Sequence, residues 1–155
     1  MSNGTPAAEG ADREIVAFRI ADQEYGIDIM TVREIRGWTA ATPLPQAPSY
    51  VRGVINLRGA VLPVVDLGTR FGMPPREESS RSVIIVVQAG TQLVGLIVDA
   101  VADILSISHD HLQPTPQVAS EAAQAFVESV AAVDERMIQL IRLQEVFGHD
   151  AAQAA

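Results

Sequence analysis

The chain has 155 residues, a formal net charge of −8 and no cysteine, which excludes a disulfide framework, a thiolate nucleophile and cysteine-ligated zinc. All eleven basic residues are arginine, so P-loop, Schiff-base and serine–lysine chemistry is excluded as well. The acidic balance argues against a phosphate-backbone ligand, because such binding needs a concentrated basic face.

The first half of the chain predicts strands, because its short apolar runs are rich in Val and Ile and punctuated by Gly and Pro. The expected elements are strands over 14–20 and 24–29, a helical turn running into a strand over 31–37, a proline-rich loop over 39–49, and strands over 53–58 and 60–67. Asp66 is placed to cap a short helix that stops at Gly72. A polar linker is expected over 73–82.

The second half repeats this character. Its expected elements are strands over 83–88 and 93–107, a loop over 108–117, a helical turn over 120–124, and a hairpin of 126–133 with 136–143 about Asp134-Glu135. The ends of the chain, 1–12 and 149–155, are polar and expected to be disordered tails. No apolar run approaches the roughly 20 residues of a membrane span, and no secretory signal is present at the N-terminus.

The two halves align with each other, which indicates an internal duplication. Residues 18–35 run without gaps against 87–104, and 53–72 against 129–148, in the same order. The repeats are therefore placed at about 14–72 and 83–148, within one domain over 13–148. We expect an all-β fold of two units of about five strands each. Units of short antiparallel strands hide their edges by curling into barrels, here with a shared buried seam.

Arg58 stands between two apolar strands, yet the duplication places it at an exposed hairpin tip. Its counterpart in the second repeat is the polar pair Asp134-Glu135, and an unpaired charge in a core would be prohibitively costly. Pro63 lacks an N–H for the sheet ladder, so its strand is expected to be an edge or to carry a bulge.

No arrangement of residues predicts catalysis or a metal site. The nucleophile-elbow, dinucleotide and zinc-protease motifs are absent, and His109 and His111 are interpreted as solvated loop residues, since closed zinc sites need four ligands. Trp38 is either a cap over a barrel rim or an interface anchor. Four arginines cluster in the first repeat and form either a solvated basic face or an asymmetric docking surface: Arg33, Arg36, Arg52 and Arg58.

Three blocks of the sequence resemble the signature blocks of the CheW family of bacterial chemotaxis coupling proteins: EYGIDIMTVREIRGW, VRGVINLRGAVLPVVDLGTRFG and VGLIVDAVADILSI. The similarity runs from about Arg13 to Gly148 in the right order and spacing. The resemblance implies two five-stranded, SH3-like β-barrels around a shared hydrophobic core. It also implies a cytoplasmic adaptor, peripheral to membrane receptor arrays, that is not an enzyme and needs no cofactor or metal.

The resemblance further implies the partners and the residues that contact them. The partners would be the signalling tip of methyl-accepting chemoreceptors, the CheW-like regulatory domain of the histidine kinase CheA, and other CheW copies in arrays, but no nucleic acid. The positions that match receptor-binding ones are Arg58, Asn56, Val32, Val83, Gly95 and Ile104. Those that match kinase-binding ones are Glu34, Arg36 and Gly53. Gly95 is interpreted as a place where a receptor helix approaches closely.

Three other readings stay open. A CheW-like scaffold could serve a non-flagellar chemosensory system, and a CheW-like domain could belong to a larger kinase or a response-regulator fusion. A small β-barrel ligand-binding protein or hydrolase is the rival from a different class, and it would need a convergent polar pocket.

Overall fold

The computed structural model describes residues 12–73, 82–114 and 125–146. Within these ranges the strands are β1 Arg13–Ile20, β2 Gln23–Asp28, β3 Val32–Gly37, β4 Val51–Leu57, β5 Ala60–Asp66, β6 Val83–Ala89, β7 Gln92–Val98, β8 Ala100–Ile107, β9 Leu112–Gln113, β10 Val127–Val133 and β11 Arg136–Ile141. The helix α1 spans Leu67–Arg70, and 3-10 turns span Ile29–Thr31 and His109–His111. The expected all-β class with short helices is confirmed.

The strands form two sheets, each the frame of one SH3-like subdomain. The five-stranded sheet has the order β3-β6-β7-β5-β4 and defines the first subdomain; the six-stranded sheet has the order β8-β1-β2-β11-β10-β9 and defines the second. Each repeat therefore gives its first hairpin to the other subdomain. The sequence indicates two barrel units, but it does not indicate this exchange, because pairing between distant strands leaves no local pattern.

The pairing is the same in both subdomains, which agrees with the aligned blocks of sequence. The parallel pair β5–β7 places Val64 opposite Gly95, and the parallel pair β11–β2 places Leu140 opposite Gly26. Val64 aligns with Leu140, and Gly95 with Gly26. The ladders of β3 and β8 also shift register at aligned positions, between Val32 and Glu34 and between the partners Val101 and Asp103. Such bulges bend a strand sharply, as a small barrel requires.

Three groups of buried side chains form the core. One group fills the interior of each subdomain, and the third, largest group contains residues of both sheets and packs between them. Strand β6 shows how the sequence encodes this arrangement: Ile84 and Val86 face the interior of the first subdomain, whereas Ile85 and Val87 face the shared core. The prediction of a strand covered on both faces is confirmed.

Aromatic side chains cross the shared core. The ring of Tyr25 lies 6.0 Å from Phe18 and 5.2 Å from Phe71, and Phe71 lies 5.4 Å from Phe126, measured between ring centroids. Pairs at these distances contribute about 0.5–1.5 kcal/mol each beyond their buried area. The core role predicted for Phe71 is therefore confirmed, while Phe147, its counterpart, lies outside the described residues.

The helical turn predicted before the strand at 31–37 is confirmed, as is the cap of α1, since the Asp66 carboxylate accepts a bond from the Thr69 N–H. The single strand predicted over 93–107 is wrong: the chain breaks at Asp99 and passes from the five-stranded to the six-stranded sheet. The Asp99 N–H donates to the Arg19 carbonyl and its carboxylate accepts from the Ala21 N–H, which fixes the crossing point.

The expectation for Pro63 also needs correction. Its strand, β5, lies between β4 and β7 and is not an edge, and the bulge lies opposite it in β4, between Val51 and Gly53. The proline fits because Val54, its partner, bonds through both its N–H and its carbonyl to Thr42 instead. The missing N–H therefore removes no bond to β4.

Several predicted segments fall outside the described residues. These are the tails up to residue 11 and from 149, the linker at 74–81, and the loop and helical turn at 115–124. In the part of the chain that is described, no helix is long and apolar enough to cross a membrane.

Candidate functional site

Arg58 lies at the tip of the β4–β5 hairpin, as predicted. Arg58 and Gly59 are the two residues of the turn, with φ of 51° and 87°, which corresponds to the type I′ turn that suits the twist of a two-residue hairpin. The Asn56 side-chain oxygen accepts a bond of 3.0 Å from the Gly59 N–H. Asn56 thus stabilises the turn, and the Arg58 side chain is left 72% exposed.

Arg58 is joined to β3 by an ionic cluster, defined here as Arg58, Glu34 and Arg36. The Arg58 guanidinium donates to one carboxylate oxygen of Glu34, and Arg36 donates to the other at 3.2 Å. The resemblance assigns Arg58 to receptor binding and the other two residues to kinase binding. The structure brings all three together, so these assigned surfaces meet at the Glu34 carboxylate.

The cluster lowers the pKa of Glu34 below its ordinary value of 4.5. The first cause is the hydrogen bond from Arg58, and the nearby positive charge of Arg36 adds to it. A carboxyl group whose pKa is lower in the folded state stabilises the fold fully at pH values above its ordinary pKa. That stabilisation is lost as the pH falls through the folded-state pKa.

We therefore expect the carboxyl carbon of Glu34, followed by NMR, to titrate with a midpoint below 4.5. In Arg58→Ala the midpoint should move up toward the ordinary value, because the main stabilising hydrogen bond is gone. Asp103 serves as an internal control, since its lowered pKa depends on Arg136 instead. An unchanged Glu34 midpoint in the variant would show that the ion pair does not form in solution.

Exposed apolar side chains lie on the same two elements as the cluster, β3 and the β4–β5 hairpin, and were missed by the sequence analysis. Ile35, adjacent to Glu34 in β3, is 43% exposed, and Val61, opposite Asn56 in the β4–β5 ladder, is 62% exposed. Large exposed apolar residues beside arginines are typical of protein-binding surfaces. We name this set, Glu34, Ile35, Arg36, Arg58 and Val61, the first surface.

The second subdomain carries an equivalent set with the opposite balance of charge. Ile104 and Met137, which align with Ile35 and Val61, are 55% and 58% exposed. Arg136 bonds to both Asp103 and Glu24, so one arginine here lies between two acids. These five residues are named the second surface. The duplication is the signal that could have revealed both surfaces. It aligns Ile35 with Ile104 and Val61 with Met137, so both repeats carry a hydrophobic residue at these positions.

The ion pair between Arg136 and Asp103 shifts the pKa of each residue in the direction expected for an ion pair. Its guanidinium lowers the pKa of Asp103, chiefly through a hydrogen bond. The bonds from Asp103 and Glu24 raise the pKa of Arg136 further above its ordinary value. Both groups therefore stay charged across the physiological range.

Two predicted site glycines are buried, and the packing around each leaves little or no room for a side chain. A Cβ on Gly95 would meet Ile84 at 3.0 Å and Val64 at 3.6 Å inside the first subdomain. The close approach that Gly95 allows in this structure is thus between strands, and the approach of a receptor helix there stays a prediction. Gly53 has a φ of +142°, and a Cβ there would lie 2.1 Å from the Thr42 carbonyl oxygen.

The remaining predicted positions divide between the seam and the surface. Val32 and Val83 are half-buried and pack against the shared core, whereas Ile104 is exposed on the second surface. Trp38 is exposed just after β3. Arg52 does not belong to a solvated basic face, because it pairs with Asp66 at 2.8 Å.

The histidine-containing turn is ordered by its own contacts. His111 accepts a bond of 2.9 Å from the Ser108 N–H through Nδ1, so the ring caps the 3-10 turn. Across residues 12–73, 82–114 and 125–146, no group of three or more His, Asp or Glu is placed to hold a metal ion.

A groove of about 520 Å³ lies between the end of β2 and the turn that follows β11. Ile27 and Thr31 line one wall, and Arg142 and Leu143 line the other. Thr31 directly precedes Val32, and Leu143 packs against the shared core, so the groove borders the seam between the subdomains.

Comparison with known proteins identifies the relatives of this chain. A family model described as CheW-like domain matches residues 14–151. The chemotaxis protein CheW of Rhizobium meliloti is 52% identical, and the probable chemotaxis protein CheW of Rhizobium etli 50% identical, each over 155 residues and 100% of both chains. The crystal structure of the scaffolding protein TtCheW from Thermoanaerobacter tengcongensis has a TM-score of 0.82 and 38% identity, covering 90% of this chain and 95% of that one.

Proposed function

The chain belongs to the CheW family, a family of chemotaxis scaffold proteins, and from that premise we propose that it couples chemoreceptor signalling tips to the histidine kinase CheA. The observation that carries the proposal is the first surface, where β3 and the β4–β5 hairpin together carry an ionic cluster centred on Glu34 and the exposed side chains of Ile35 and Val61. A surface of this kind binds another protein through apolar contacts, and its charges set the orientation of the partner.

The kinase partner would be the CheW-like regulatory domain of CheA, bound subdomain to subdomain. Glu34 and Arg36 lie on β3, an edge strand of the five-stranded sheet, and so are available to an incoming subdomain. Gly53 would act indirectly, by holding β4 and its hairpin in place. The opposite charge balance of the two surfaces also suits pairing of the first surface of one CheW-like unit with the second surface of the next, including other copies of this chain.

The receptor partner would be a helical hairpin whose apolar stripe lies along the seam. Amphipathic helices bind such sites through apolar residues spaced along one face. Val32 and Val83 would contribute from the seam and Ile104 from the second surface, while Arg58 would pair with a receptor carboxylate and Asn56 would hold the Arg58 turn. The protein would then be a cytoplasmic component held beside the membrane by these contacts alone.

Arg58→Ala is expected to weaken receptor binding by about 1–3 kcal/mol, because an exposed arginine at an interface is lost while the hairpin is kept. The folded state should be unchanged, since the Arg58 side chain is mostly exposed and the turn bond is made by Asn56 and Gly59. Titration calorimetry with a receptor signalling fragment measures the loss.

Arg33→Ala is the matched control, because Arg33 is an exposed arginine of the same strand as Glu34 and bonds instead to the Met30 carbonyl and Gln88. Wild-type affinity in Arg58→Ala would remove Arg58 from the receptor site. An equal loss of receptor affinity in Arg33→Ala would show that Arg58 contributes only general positive charge.

A further inference from the structure

Arg70 joins the two halves of the chain at one end of the seam. It ends α1, and its guanidinium carbon lies 4.4 Å from the centre of the Tyr50 ring and 4.7 Å from that of Phe126. The same group donates hydrogen bonds to the carbonyls of Glu145 and Val146. Tyr50 and Arg70 belong to the first half, and the other three residues belong to the second.

Arginine is suited to this position by its shape as well as its charge. A planar guanidinium stacks on aromatic faces and still directs several N–H groups outward at its edge, which an ammonium cannot do. The carbonyls at the end of the helical turn 143–146 have no partner within that turn. Arg70 therefore satisfies two backbone acceptors while it is held between two rings.

This link is not a product of the duplication. The turn 143–146 aligns with α1, but Val146 occupies the position equivalent to Arg70. The shared core would hold the sheets together without any cation. Arg70 is thus an addition on one side of the seam, and it acts on the last turn of the second half.

That last turn forms one wall of the groove beside the seam. Residues 142–145 line it opposite Ile27, Asp28 and Thr31. Two sets of hydrogen bonds hold the turn on its far side, the bond from the Arg142 N–H to the Phe126 carbonyl at 2.8 Å and the bonds from Arg70. Both lead to the Arg70–Phe126 stack. Leu143 and Val146 add apolar contacts with the shared core.

We infer that Arg70 acts as a latch: its bonds and ring contacts fix the 143–146 turn against the first half of the chain. Because residues 142–145 line the groove, Arg70 thereby sets the width of the groove. When the Arg70 side chain is removed, residues 142–145 shift, while Val146 stays in the shared core and both sheets keep their packing. The inference requires no partner, so it stands or falls independently of the proposed coupling role.

The absence of cysteine allows spin labels to be placed at two introduced cysteines, Thr91→Cys in the β6–β7 turn and Gln144→Cys in the last turn. Both positions are on the surface. In Arg70→Ala the distance distribution between the labels should broaden, and the amides of 143–146 should exchange at least about tenfold faster, while those of β6 keep their rates. Arg142→Ala removes a neighbouring exposed arginine and should behave like the parent.

Arg70→Lys separates charge from geometry. It keeps the positive charge but loses the planar stack and the paired donors, so it should behave like Arg70→Ala. Parental behaviour of the lysine variant would overturn the stacking argument. Unchanged label distances in Arg70→Ala, or faster exchange spread evenly over the whole chain, would overturn the latch itself.

Discussion

Replacing Gly53 with alanine is expected to lower the free energy of unfolding by about 3–4 kcal/mol. The backbone there has a φ of +142°, and the new Cβ would lie 2.1 Å from the carbonyl oxygen of Thr42 and 2.9 Å from the nitrogen of Pro43. Backbone atoms cannot rotate away as a side chain can. The two bonds between Thr42 and Val54, each of 2.9 Å, would have to lengthen or break, which adds to the strain of the dihedral angle.

Chemical denaturation of the parent and the variant measures this loss. Gly37→Ala is the matched control: Gly37 is also a strand glycine of the first subdomain, but a Cβ there meets nothing within 4 Å, so its stability should stay within about 0.5 kcal/mol of the parent. Equal stabilities of the two variants would contradict the account of Gly53. If Gly53→Ala weakens kinase binding, the loss of affinity should be no larger than the fraction of unfolded protein explains, because Gly53 acts only through the fold.

Glu34→Lys is expected to weaken binding of the kinase's CheW-like domain by about 2–4 kcal/mol, because like charges placed together at an interface cost several kcal/mol. The variant puts a third positive charge beside Arg36 and Arg58, where the carboxylate now bonds to both. The first surface would lose its ionic cluster and become uniformly basic. Calorimetry with the kinase domain and with a receptor fragment, each alone, separates the two effects.

The control for this charge change is Glu14→Lys, an exposed position in β1 of the second subdomain. It alters the net charge equally and should leave both affinities near the parental values. Receptor affinity in Glu34→Lys should fall less than kinase affinity. Equal losses with an intact fold would show that receptor and kinase share one site at the cluster, contrary to the separate roles proposed for Arg58 and Glu34.

The local features of the fold could be predicted from the sequence because they have local causes. The uninterrupted apolar run over 83–87 encodes a strand buried on both faces, and Asp66 encodes a helix cap. The exchange of hairpins could not be predicted, because the parallel pairs β5–β7 and β2–β11 join residues far apart in the chain. The break at Asp99 is part of the same exchange.

The candidate site could be predicted in part for a similar reason. The duplication placed Arg58 at a tip, since its counterpart is a polar turn. Motif similarity alone could not show what surrounds a glycine: the space beside the Gly95 Cα is filled by the side chains of Ile84 and Val64. Ile35 was missed because the bulge near Arg33 resets which side chains of β3 face outward, and a bulge is not visible in the sequence pattern. Val61 was missed because it stands at the start of an apolar strand that is buried from Leu62 onward.

The proposed coupling role requires that the protein hold two different partners at once through its surfaces. It is tested most directly by sedimenting the full chain with the regulatory domain of CheA and with a receptor signalling fragment, separately and together. We predict that each partner binds alone and that all three sediment as one complex. Displacement of one partner by the other, or no binding of either, would contradict the claim.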